Sequence, residues 1–136
     1  MADLTISASD VKLVFGPTKS RLAAAAVAAG QVCYQASATK KAGLADNDSA
    51  TAEVRSIDGL ALNSAAADQP IELAANGAVV TVGAVLTAGV DYYLSGTPGG
   101  ICPRADVITG DDPIRVGMAL TTSNLQLDFN DPDVTL

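Results

Sequence analysis

The chain has 136 residues, enough for one domain with a single modest core, and carries a net charge of −7. That acidity repels nucleic-acid phosphates and argues against DNA or RNA binding. The sequence contains no His, which removes the commonest general base and metal ligand and with it the usual serine and cysteine triads.

The hydrophobic share is 49%, but it is made of small side chains: 25 Ala against 2 Phe, 3 Tyr and no Trp. Each buries little area, at about 25 cal/mol per Å². A thin core of this kind gains from neighbours, either copies of itself or a larger partner. The opening MADLTISASD has no basic start followed by an apolar stretch, so a secretory signal is not expected. The longest apolar run, Leu22 to Ala29, falls well short of the roughly twenty residues of a membrane span. Synthesis in the cytoplasm and no membrane association are the expectation.

In chain order, the segments read mainly as strands. Leu4–Ser7 and Val11–Phe15 alternate apolar and polar residues with period two. Leu22–Ala29 has high helix propensity from its Ala content, but Gly30 ends it at once and eight residues make a marginal helix. Val32–Gln35 reads as a strand. Ser49–Ser56 suits a helical turn capped by Asp48 or Ser49. Further strands are expected at Gly59–Leu62, Ile71–Leu73, Val79–Val82, Tyr92–Ser95, Ile114–Thr121 and Leu125–Phe129. Turn signals separate them at Gly16-Pro17, Asn76-Gly77, Gly96 to Gly100 and Asn130-Asp131-Pro132. The fold class is all-β, a small barrel or sandwich with at most one or two short helical turns.

An internal repeat organises these strands. Ala29 to Tyr34 pairs with Ala88 to Tyr93 at an offset of 59. Ala45-Asp46 pairs with Ala105-Asp106, Gly59 to Leu62 with Gly117 to Leu120, and Ile71-Glu72-Leu73 with Leu125-Gln126-Leu127. The order is kept while loop lengths drift. Two similar halves, about 22–75 and 79–129, would cover each other's apolar faces in a pseudo-two-fold β domain over 22–129. Residues 1–21 are then an N-terminal arm or first strands, and residues 130–136 an acidic C-terminal tail without fixed structure.

The chemistry-bearing residues do not assemble a catalytic pattern, and no enzymatic role is expected. Most of the 15 acids stand beside Gly, Asn or Pro in apparent turns, where a solvated carboxylate is the ordinary residue. Asp128, Asn130, Asp131 and Asp133 crowd oxygen ligands but lack the Gly and terminal Glu of an EF-hand loop. Gly16 to Ser20 resembles a phosphate-binding loop only superficially, because Thr18 rather than Gly precedes Lys19. Cys33 and Cys102 match no zinc spacing. They leave a disulfide open, although two lone Cys in strands are more often small buried hydrophobes. Neither a metal nor any other cofactor is expected. The segment with a functional reading is the first one. Val11, Lys12, Leu13 and Phe15, followed by Lys19 and Arg21, are the candidate partner-binding residues. They read either as an ordinary first strand or as a strand offered to a partner's sheet edge.

The run LTAGVDYYLSGTPGGICPRADVITGDDPIRVGMALTTSNLQLDF, Leu86 to Phe129, resembles the C-terminal half of phage head-decoration proteins, also called capsid cement proteins. The phrase from Ala88-Gly89 through Tyr92-Tyr93 and Gly99-Gly100-Ile101 to Pro103 carries the likeness, followed by Gly117, Ala119-Leu120 and Thr122. The stretch AAGQVCYQASATKKAGLAD with GLALNSAAADQPIEL is similar to the N-terminal half. The resemblance implies a structural virion protein on the outer capsid surface, bound to the major capsid protein over seams between subunits. It further implies a homo-oligomer, dimer or trimer, and no catalytic residues. Alternatives are another virion β module, in a tail or baseplate, and a carbohydrate- or surface-binding domain.

Overall fold

A computed structural model describes residues 3–136. The chain is all-β, and among the described residues helical content is confined to 3₁₀ turns at Ala8–Asp10, Ala52–Arg55 and Arg104–Asp106. The strands are β1 (Lys12–Phe15), β2 (Thr18–Leu22), β3 (Val32–Gln35), β4 (Ala42–Leu44), β5 (Gly59–Ala61), β6 (Pro70–Ala74), β7 (Val79–Thr81), β8 (Asp91–Leu94), β9 (Ile101–Pro103), β10 (Arg115–Ala119) and β11 (Asn124–Asn130).

They form two antiparallel sheets in a sandwich. One runs β1-β7-β11-β10-β8-β9 and the other β2-β6-β5-β3-β4. With β1 set aside, the two orders are the same: each strand of the second sheet has its counterpart five strands later in the first. The duplication read from sequence is therefore present in the topology, and it extends further toward the N-terminus than the sequence phrases did. Its first strand is β2, the counterpart of β7, so residues 18–21 belong to the repeated unit rather than to an arm. What remains outside is the segment before the Gly16-Pro17 corner.

That corner moves the chain from one sheet to the other. Gly16 has φ +117°, a conformation other residues resist, and a Cβ there would stand 2.5 Å from Ala78 Cα. Pro17 then presents its carbonyl to the Ala75 N–H at 2.9 Å. Leu4–Ser7 is not a strand. The Leu4 N–H donates to the Ile101 carbonyl at 2.8 Å, and Leu4 and Ile6 pack on the main core. The first two residues of the expected arm lie outside the described residues.

Two apolar layers follow from strand alternation. Val32, Leu60, Ala74, Val80, Leu94, Ile101, Ile114, Val116, Leu125 and Leu127 fill the space between the sheets. Their neighbours Cys33, Ala61, Ile71 and Leu73 face the other way, into a second cluster with Ala23, Val27, Ala42 and Ala65. The Ala-rich stretch thus forms no helix. It crosses the outer face of the second sheet, held by bridges from Ala23 to Ala42 and from Val27 to Ala65. Small side chains let this backbone lie close against the sheet. The helical turn expected within 49–56 is present at Ala52–Arg55, but no side chain caps it at Thr51, and Ser49 Oγ instead accepts from the Thr51 N–H.

Residues 131–136 form no strand, and the last two of them are hydrogen-bonded to the body of the fold. The Leu136 N–H donates to the Asp111 carbonyl, the Gly110 N–H to the Leu136 carbonyl, and Thr135 Oγ1 to the Asp112 carboxylate. The acidic tail thus ends in hydrogen bonds to the turn at residues 110–112. No helix among the described residues is long and apolar enough to cross a membrane.

Candidate functional site

The six candidate residues separate into three environments. Val11 is 6% exposed and packs in the main core with Ala29, Val32 and Val80, so a partner would not reach it. Lys12, Leu13 and Phe15 lie on β1, where all four residues, Val14 included, are exposed. Lys19 and Arg21 lie on β2 and are turned toward their own fold. Lys19 Nζ is 2.8 Å from Asp58 Oδ1, and Arg21 Nε is 3.1 Å from Asp58 Oδ2. They bind β2 to the turn that leads into β5.

β1 is an edge strand. It pairs with β7 on one side, through Lys12 opposite Thr81, Leu13 opposite Val80 and Phe15 opposite Val79. The register shifts between Leu13 and Phe15, so Val14 is the extra residue of a bulge. Among the described residues, the other side of β1 has no paired strand. An edge of this kind is a template for another chain unless it is blunted, and a bulge and one Lys are the only devices on it. Phe15, at 62% exposure, is the most open apolar side chain of the strand, flanked by exposed Leu13 and Val14.

Elsewhere the polar groups serve the fold. Arg115 joins Asp91 at 3.0 Å and Asp128 at 3.2 Å on the outer face of the larger sheet. Arg55 Nε meets Asp112 Oδ2 at 2.9 Å. Cys33 and Cys102 are free, buried thiols, one in each half. Burial pushes Cys33 up to about 12, with the nearby Asp58 charge adding to it. Burial likewise pushes Cys102 to about 12, helped by Asp3, Asp106 and Asp111. Neither is a nucleophile near neutral pH.

One cluster was not singled out from sequence. Asp46, Asn47 and Asp48 follow β4 and face the loop after β8. The Asp48 carboxyl is pushed up to about 6, chiefly by a hydrogen bond with the Asp46 side chain, then by burial and by the charges of Asp46 and Asp111. Only the spatial approach of residues 46–48 to Gly96 and Asp111 reveals it, and local sequence carries no signal for that approach. Among the described residues, no group of three or more His, Cys, Asp or Glu is gathered as a metal cluster. No protein-family model matches the chain, and no curated protein matches it.

Proposed function

We propose that this chain is a structural virion protein that docks on the outer surface of a phage capsid and strengthens contacts between major capsid protein subunits. The observation that carries the docking part is β1, whose Leu13, Val14 and Phe15 are exposed on a strand with one unpaired edge. A partner strand laid there would gain main-chain hydrogen bonds and cover these side chains. The capsid as the partner rests on the likeness of residues 22–129 to head-decoration proteins.

Two further features support the reading. Many copies on one shell bind through avidity, so a short edge strand suffices for each copy. A net charge of −7 keeps a densely coated particle soluble.

The test uses substitutions rather than truncation. Removing residues 1–21 would take away Val11 and most of β2, and so disturb the core and the second sheet. Leu13→Ser and Phe15→Ser change exposed side chains only. Mixed with expanded capsids that lack their decoration, the double variant should fold normally and occupy far fewer sites than wild type. Equal occupancy would remove β1 from the mechanism.

A further inference from the structure

We propose that Asn47, Asp48 and Asp46 form a binding site for a divalent cation of the calcium type, at the junction of the two halves of the sandwich. The inference is independent of the docking reading.

Asn47 is the anchor. It is fully buried, and its Nδ2 donates to the Leu94 carbonyl at 2.8 Å. That bond fixes the orientation of the amide and leaves Oδ1 on the opposite side. Oδ1 is buried and has no hydrogen-bond partner among the described residues. A buried acceptor left unpaired is costly, and natural proteins rarely keep one without a use.

Asn47 Oδ1 does not stand alone. A methyl group built on Gly96 would lie 3.3 Å from Asn47 Oδ1 and also 3.3 Å from Asp48 Oδ2. Both oxygens therefore border the space beside Gly96, which stays open because residue 96 has no side chain. Asp46 brings a second carboxylate. Its Oδ1 accepts from the Asp48 N–H at 3.0 Å, and its side chain is within hydrogen-bonding reach of the Asp48 carboxyl. Asp111, from the second half, adds negative charge to the same space. The neighbouring cation, Arg55, is engaged by Asp112.

The donor set selects the ion. A neutral amide oxygen and two carboxylates, without thiolate or imidazole, suit a hard cation. Calcium accepts irregular oxygen shells at roughly 2.3–2.6 Å and completes them with water, whereas magnesium demands near-octahedral geometry. Bound there, the ion would satisfy the orphaned amide, relieve repulsion between the acids, and clamp the segment after β4 to the loop after β8.

The experiment is isothermal titration of the EDTA-treated full chain with CaCl2, paired with thermal melts in CaCl2 and in MgCl2 at equal ionic strength. Wild type should bind calcium in the range of about 0.1–1 mM, typical of weak oxygen sites. Its melting midpoint should rise in CaCl2 over that in MgCl2. Asp48→Asn removes an exposed ligand charge, and Gly96→Ala fills the open spot. Each should fold and weaken calcium binding by roughly tenfold or more. Absence of binding heat with equal midpoints in the two salts would overturn the proposal. So would wild-type affinity in Asp48→Asn.

Discussion

Gly59 approaches β6 as Gly117 approaches β11. A Cβ on Gly59 would lie 2.7 Å from Leu73 Cβ and 2.7 Å from the Ala74 carbonyl oxygen, and one on Gly117 would overlap the Gln126 carbonyl oxygen and lie 3.1 Å from Leu127 Cα. The two glycines hold equivalent places in the halves, and Leu73 and Leu127 are equivalent in turn. Each half therefore uses a glycine to bring one strand close to its neighbour's backbone.

Substituting either glycine should be destabilising for a steric reason, since backbone atoms cannot turn aside as a flexible side chain does. Gly117→Ala should cost about 1–3 kcal/mol, the ordinary range for overpacking, and Gly59→Ala a similar amount. Urea denaturation followed by far-ultraviolet circular dichroism measures this. An unchanged midpoint for Gly117→Ala would mean that β10 and β11 are not so close.

Asp58 gathers two cations, and its side chain is only 9% exposed. Removing it frees Lys19 and Arg21 to reach water. Removing both cations leaves a mostly buried carboxylate without its partners. Asp58→Ala should cost about 1–2 kcal/mol after allowance for the partial exposure of Lys19 and Arg21. Lys19→Ala with Arg21→Ala should be non-additive, since either cation alone still serves Asp58. Additive single effects in a denaturation series would contradict a shared carboxylate.

The two thiols set an alkaline limit. Both titrate in the folded chain at about 12, above their value of 9.0 when free of these surroundings. Their folded form holds its protons longer than the unfolded form. Stability is therefore full below pH 9 and declines as pH rises from about 9 toward 12. A chain with Cys33→Ala and Cys102→Ala should show a shallower decline over that window. A thiol reagent at pH 8 should label native protein slowly and unfolded protein at once. Rapid labelling of the native chain would contradict the burial.

The repeat was legible because paired phrases such as Ala29 to Tyr34 and Ala88 to Tyr93 lie on matching strands with their turns. Its starting point was not. Thr18–Leu22 is polar and charged, while its counterpart Val79–Thr81 is mostly apolar, so no alternation marks them as equivalents. β4 and β9 escaped notice for being three residues long and for containing Gly43 and Pro103. At the candidate edge, Leu13 and Phe15 were readable from an apolar, β-prone run. Val11, Lys19 and Arg21 were not separable from them locally. Val11 turns inward into the main core, and the two cations meet Asp58, which lies 39 and 37 positions away.

The most direct test of the proposed capsid docking is the copy number of this chain in purified phage particles that contain it, by quantitative mass spectrometry against the major capsid protein. Decoration of the head predicts hundreds of copies per particle, in a fixed ratio to the capsid subunit. A handful of copies, or none, would contradict it.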